Sequence, residues 1–234
     1  MSSSEADPGG PARLGIVFDL DGTLIDSTLD IAAAAHHTLV ASGRAALSVP
    51  ELASYVGDGA RLLLARATRL EPSAPELDQL LPTFIAYYAA HPTDHTQLLP
   101  GAHEALAALA HLPLALCTNK PRALMDAVLA NLRLPVTFSV LVGAGDLPQN
   151  KPDPLPLLHI AEKLGLSPVE LVMVGDGPQD ILCAKAAGSR SVGVESQMQG
   201  RERLLAAKPD VLLESLADLP RLIDGWLNAS GVSP

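Results

Sequence analysis

The sequence predicts an α/β protein: a parallel β-sheet covered by helices on both faces, with an all-helical block inserted after the first strand. Three observations carry this reading. Short, nearly uninterrupted apolar runs recur along the chain, the pattern of strands buried on both faces. Between them lie segments with helical periodicity, the alternation from which parallel sheets are built. Residues from about 27 to 96 break that rhythm and read helix after helix.

The elements follow in chain order. The start, MSSSEADPGGPAR, is rich in Ser, Pro and Gly and lacks both the basic and the apolar segments of a signal peptide. Residues 1–12 are therefore expected to be a disordered tail. LGIVF (14–18) is the first strand. TLDIAAAAHHTLVASG, GARLLLARATRL and PELDQLLPTFIAYYAAH then read as helices with no convincing strand among them. Such a gap is too long for a simple crossover, so residues 27–96 are read as a second, smaller domain between core segments 13–26 and 97–234. AHEALAALAHL precedes a second strand, LALCT (114–118), and PRALMDAVLANL follows it. The strands SVLVG (139–143), LVMVG (171–175), SVGVE (191–195) and VLL (211–213) complete the series. The helices DPLPLLHIAEKLGL and PQDILCAKAAG separate the first three of them. Both run into a glycine stop, and Pro178 stands near the start of the second, where proline is tolerated.

Composition narrows the function. With 234 residues and 48% hydrophobic content the chain can bury a sizeable core, but aromatics make up only 3%. That core must be built mostly of Leu, Ala and Val. The net charge of −10 comes without a Lys/Arg cluster, which disfavours nucleic acid as a partner. A small phosphate ester is not disfavoured, because it answers to a local field. No apolar run approaches a membrane span. Cys117 and Cys183 each lie in an apolar segment and read as buried reduced thiols, so a cytoplasmic protein is expected.

The chemistry starts at FDLDGTLIDS (18–27), where two aspartates stand one residue apart at the end of a strand. Alternate residues of an extended segment point the same way, so Asp19 and Asp21 are expected to project together. In open parallel sheets the carboxyl edge of the strands is where ligands bind. Other polar residues fall at the same edge: Thr118 and Asn119 in CTNKP, Lys151 in QNKPDP, and Asp176 with Asp180 in VGDGPQD. Carboxylates gathered at one point call for a hard cation, and Mg²⁺ is held by carboxylates together with substrate phosphate oxygens. A cation and an ammonium would let a carboxylate attack phosphorus, giving an aspartyl-phosphate, while a second carboxylate moves the proton. DLDG has its glycine too early for an EF-hand loop, GAGDLP lacks the third glycine of a dinucleotide fingerprint, and no Walker loop is present. None of the seven histidines has metal-ligand spacing with another His or Cys.

FDLDGTLIDS, CTNKP, NKPDP and VGDGPQDI, in that order, resemble the four motifs of the haloacid-dehalogenase-like hydrolase superfamily. DLPQNKPDPLPLLHIAEKLGLSP and GARLLLARA are similar to its phosphoglycolate phosphatase branch. The resemblance implies a Rossmann-like core with a helical cap, and a Mg²⁺-dependent phosphatase of a small phosphorylated metabolite. It makes Asp19 the nucleophile and Asp21 the general acid/base. The metal would bind the Asp19 carboxylate, the Asp21 main-chain carbonyl and Asp176, with Asp180 ordering the shell behind. Thr118 would hold a phosphate oxygen and Lys151 would neutralise nucleophile and phosphate. Gly177 stands where many relatives carry Ser.

Simpler roles stand beside these. Thr118 is also placed to cap the following helix, and Asp180 to sit in a first helical turn favoured by the macrodipole. Asn119 and Lys120 flank the phosphate motif within reach of substrate. If the substrate is phosphoglycolate, its carboxylate needs a cation. The helical block has no lysine, and Arg61, after the turn VGDGA, is the candidate, set against an arginine on a solvated helix face. The same machinery would serve a sugar phosphate or N-acetylmuramic acid 6-phosphate, a phosphosugar mutase, or a non-catalytic phospho-ligand sensor.

Overall fold

A computed structural model describes residues 13–196 and 198–229. The tail expected over residues 1–12 lies outside the described residues. Six parallel strands form the central sheet: β1 (Gly15–Phe18), β4 (Leu114–Pro121), β5 (Val140–Ala144), β6 (Leu171–Gly175), β7 (Arg190–Val194) and β8 (Val211–Leu213). Their spatial order is β5-β4-β1-β6-β7-β8. The chain thus builds outward from β1 on one side, then returns to lay β6 against its other side. That reversal makes the β1/β6 seam the switch point, where a crevice opens outside the strand ends. Phe18 pairs with Val174 in register there, and Asp19 N donates to Val174 O at 2.9 Å.

Period-two alternation divides the core. Ile16, Phe18, Leu114, Leu116, Val172 and Val174 face one side of the sheet, and Val17, Ala115, Cys117, Leu171 and Met173 face the other. The first side is covered by α5 (Ala102–Ala108), α6 (Arg122–Asn131) and α10 (Leu219–Ala229), the second by α7 (Leu155–Leu164) and α8 (Pro178–Ala187). A further helix, α9 (Arg201–Ala207), packs Leu204 and Ala207 against Ile181 of α8. The inner strands β1, β4, β6 and β7 are buried on both faces over most of their length, which is why each reads as a largely continuous apolar run rather than an alternating one. Cys117 and Cys183 are buried and unbridged.

The block after β1 is helical, as the sequence predicts: α1 (Thr28–Ala41), α2 (Val49–Ala53), α3 (Ala60–Thr68) and α4 (Glu76–Ala90). Two connectors flank it, and these contain the strands the apolar pattern does not reveal. β2 (Ile25–Asp26) pairs antiparallel with β3 (Gln97–Leu98), so the chain enters and leaves the helical block through one two-stranded ribbon. Asp30, buried at the start of α1, ties down the same neck by accepting from the main-chain N of His95 and from both N and Oγ1 of Thr96.

Candidate active site

At the switch point the strands end in acids. Asp19 follows β1 and Asp176 follows β6, and Asp180 enters from the first turn of α8. One carboxylate oxygen from each lies within 4.8 Å of the other two. All three side chains are buried. Lys151 comes from the loop after β5, its Nζ 2.9 Å from Asp19 Oδ1 and 2.5 Å from Asp180 Oδ1.

The backbone makes room for this crowding. Gly22 has φ +81°, and a Cβ there would stand 2.2 Å from Asp176 Oδ2. At Gly175 a Cβ would meet the Asp180 carboxyl carbon at 2.3 Å. Both carboxylates therefore pack directly on main chain, in space that any other residue would fill. Asp180 Oδ2 accepts from Gly177 N at 3.0 Å, which fixes the loop after β6, and Ser196 Oγ donates to Asp176 Oδ2 at 2.5 Å.

Electrostatics mark the cluster as unbalanced. Burial, then the neighbouring charges of Asp19 and Asp180, hold Asp176 well above the usual carboxylate range. Burial also pushes Asp180 up to about 6, against the pull of Lys151. For Lys151 burial works against the ammonium, but Asp180 and Asp19 outweigh it and raise its pKa. Fully ionised, the three carboxylates would exceed the one ammonium facing them by two negative charges. Asp19 Oδ1 is buried with no donor in hydrogen-bonding geometry, although Lys151 is near. Oxygen donors alone, an excess of negative charge and an orphaned buried oxygen fit a hard divalent cation.

Asp21 stands apart from this group. The chain leaves the strand at Asp19 and turns, with Gly22 N donating to Ile25 O at 2.8 Å, so strand alternation does not set the direction of Asp21. Its carboxylate accepts from Ser27 Oγ at 2.5 Å and from Lys120 Nζ at 2.8 and 3.0 Å. The three clustered carboxylates are thus those of residues 19, 176 and 180. Thr118 ends the straight part of β4, and its Oγ1 accepts from Lys120 N at 3.1 Å. That bond holds the turn at the strand end, and no side-chain cap is made to α6. Asn119 Nδ2 donates to Lys151 O at 2.8 Å and so joins the second motif to the third.

A cleft over the strand ends is lined by Asp19, Asp21, Thr118, Asn119 and Lys120. From the helical block come Val56, Leu63, Phe84 and Tyr88, an apolar wall apart from the tyrosine hydroxyl. Arg61 is not on that wall. Its guanidinium donates to Pro72 O at 2.7 Å, to Asp78 Oδ1 at 2.6 Å and to Ala74 O at 3.3 Å, all within the helical block. The solvated-face alternative describes its position, and the reason is local: Asp78 in the first turn of α4 holds it. Tyr88 and Ser196 reach the site from positions that sequence spacing does not connect to the four motifs, whereas Ser27 closes the first of them.

A family model for haloacid dehalogenase-like hydrolases matches residues 16–194. A phosphoglycolate phosphatase of Pectobacterium atrosepticum is 39% identical over 214 residues, covering 89% of this chain and 92% of that protein. One of Neisseria meningitidis is 40% identical over 214 residues, covering 87% and 91%. The crystal structure of a predicted phosphoglycolate phosphatase from Haemophilus somnus 129pt superposes with a TM-score of 0.78 at 28% identity, covering 92% of this chain and 99% of that one. The chain belongs to the haloacid dehalogenase-like hydrolase family. Within it, the chain is an enzyme of the phosphatase class. Among the described residues no helix is long and apolar enough to cross a membrane.

Proposed function

We propose that the enzyme is a Mg²⁺-dependent phosphomonoesterase that works through an aspartyl-phosphate on Asp19, with 2-phosphoglycolate as its substrate. The observation that carries the reading is the buried meeting of Asp19, Asp176 and Asp180 with Lys151 at the sheet's switch point. Names borne by relatives 35–40% identical over most of the chain support the choice of ester.

Asp19 attacks phosphorus with one carboxylate oxygen, and the ester oxygen leaves as Asp21 gives it a proton. Asp21 then takes a proton from water, which attacks the phosphorus of the aspartyl-phosphate, releasing inorganic phosphate and restoring Asp19. Lys151 offsets the charge of nucleophile and phosphoryl oxygens throughout, and Thr118 donates to one of those oxygens. Asp19, Asp176 and the main-chain carbonyl of Asp21 would hold the Mg²⁺, which when bound supplies charge neutralisation at the phosphate. Residues 27–96 form the cap, moving on the β2/β3 ribbon to admit substrate and exclude water. The apolar wall over a small polar floor suits a small ester.

Phosphate release is the test. Asp19→Asn should abolish turnover of 2-phosphoglycolate, and EDTA should silence the enzyme until Mg²⁺ is restored. Full activity in Asp19→Asn would end the reading. A panel of phosphate esters ranked by kcat/KM decides the substrate, and a sugar phosphate above 2-phosphoglycolate overturns that choice.

A further inference from the structure

We propose that Lys120 is a positioning residue for the proton transfer: braced by Tyr88 of the helical block, it fixes the Asp21 carboxylate in the wall of the cleft. The inference rests on the role given to Asp21 above, and adds to it a lysine and a contact from α4.

Lys120 lies two residues beyond Thr118, and only 3% of its side chain is exposed. Its Nζ donates to Asp21 Oδ1 at 2.8 Å, to Asp21 Oδ2 at 3.0 Å and to Tyr88 Oη at 2.6 Å. The Tyr88 ring centroid is 4.4 Å from the same nitrogen. An ammonium has three N–H bonds, and these three acceptors use all of them, so the head group cannot rotate without losing a partner. Ser27 Oγ holds Asp21 Oδ1 from another direction at 2.5 Å. The carboxylate is therefore gripped from a strand end of the sheet and from the residue preceding α1, and the grip is completed by a side chain of α4.

Nothing in the packing requires a cation there. A buried ion pair is a weak source of stability against an apolar pair of similar volume, because both charges lose their water. Its gain is geometric, since it sets a carboxylate in one orientation beside the cleft that Asp21, Lys120 and Tyr88 all line. Because Tyr88 is one of the three acceptors, the arrangement is complete only when α4 is seated against β4. Asp21 is thus held for chemistry in the same geometry that covers the substrate.

The test compares kcat/KM on three esters in the presence of Mg²⁺: 2-phosphoglycolate, ethyl phosphate and p-nitrophenyl phosphate. The first two expel an alkoxide that needs a proton, whereas nitrophenolate leaves without one. This parameter stops at the first irreversible step, so hydrolysis of the common aspartyl-phosphate drops out. Lys120→Met should lower kcat/KM roughly 10²-fold on both alkyl esters and less than about fivefold on the aryl ester. Tyr88→Phe should repeat the pattern at roughly tenfold. On ethyl phosphate the double variant Asp21→Asn/Lys120→Met should be within about twofold of Asp21→Asn alone. Equal losses on alkyl and aryl esters, or additive losses in the double variant, overturn the proposal. A loss confined to 2-phosphoglycolate also overturns it, because Lys120 would then be reading the substrate carboxylate. Should Lys120→Met fail to fold, Tyr88→Phe, which deletes one oxygen, decides alone. If Asp21→Asn itself spares the alkyl esters, the role of Asp21 falls and this inference with it. If Asp21→Asn discriminates between the esters and Lys120→Met does not, only the role of Lys120 falls.

Discussion

Asp180 Oδ1 accepts from Lys151 Nζ at 2.5 Å, and the two side chains are 0% and 1% exposed. The same lysine reaches Asp19 Oδ1 at 2.9 Å, so one buried ammonium spans an acid on a helix and an acid at a strand end. Asp180 owes its place to helix geometry: it is the third residue of α8, where its other oxygen accepts from Gly177 N. It is linked to Asp19 through Lys151.

Breaking that pair should be expensive. Asp180→Ala leaves Lys151 buried with half its counter-charge and frees the Gly177 N–H, so denaturant unfolding should show a loss of about 3–5 kcal/mol. Lys151→Ala should lower kcat by about 10²-fold or more, the scale for losing a preorganised charge at a reacting centre. A variant Asp180→Ala with an unchanged unfolding midpoint would show that the pair contributes little.

Asp176 should respond in opposite ways with and without metal. Its carboxyl is held above the ordinary range by burial and by Asp19 and Asp180, so its ionisation works against the folded state. For an acid whose folded pKa is raised, stability falls as pH rises from the unfolded value through the folded one. In EDTA at pH 7, Asp176→Asn should therefore melt at or above the parent temperature. Mg²⁺ at a hundredfold excess over its Kd should stabilise the parent by about 2.7 kcal/mol and the variant hardly at all. Equal Mg²⁺-induced shifts in Tm for the two proteins would remove Asp176 from the metal site.

Gly22 offers a test that leaves every acid in place. Alanine there must adopt φ +81°, at a cost of about 1–2 kcal/mol, and its methyl would arrive 2.2 Å from Asp176 Oδ2. The carboxylate has to move. Gly22→Ala should lose at least about 1 kcal/mol of stability and need a higher Mg²⁺ concentration for half-maximal activity. Parent-like Mg²⁺ titration would mean that Asp176 can shift without consequence.

Much of this was legible from residue order, and the reasons are physical. The strands carry continuous apolar runs, so VLL and LVMVG match the observed bounds, and LGIVF, SVLVG and SVGVE lie within one residue of them. LALCT ran three residues short of Pro121, because polar residues at a strand end read as a turn. A two-residue strand has no periodicity to detect, so β2 and β3 were invisible, as was the five-residue α2. Asp19 and Asp176 were legible because each directly follows a strand, and Asp180 because it stands in the first turn of the helix after β6. Their division was not: Lys120 captures Asp21 across 99 residues, and Ser196 reaches Asp176 across 20. Nor does a sequence say that Asp78 lies where it can draw Arg61 away from the cleft.

The helical block also touches the core through Asp58, and that contact should depend on pH. Asp58, just before α3, accepts from Arg66 Nη2 of the same block at 2.5 Å and from Arg203 Nη2 of α9 at 2.9 Å. Beside it Gln199 Nε2 donates to Gly57 O at 2.5 Å. Burial alone would raise the Asp58 pKa, but Arg66 and Arg203 outweigh it and hold the carboxyl below the usual range. An acid with a depressed folded pKa contributes stability above its unfolded value, about 3.9, and loses that contribution as pH falls through the folded value. The Tm difference between parent and Asp58→Asn should therefore be constant from neutral pH to about 5 and shrink at lower pH. Because both arginines are half exposed, added salt should reduce the difference as well. Hydrogen exchange around residues 55–59 should rise in Asp58→Asn at neutral pH, since Arg203 would no longer anchor that turn to α9. A Tm difference independent of pH, with unchanged exchange, would assign Asp58 no part in joining the block to the core.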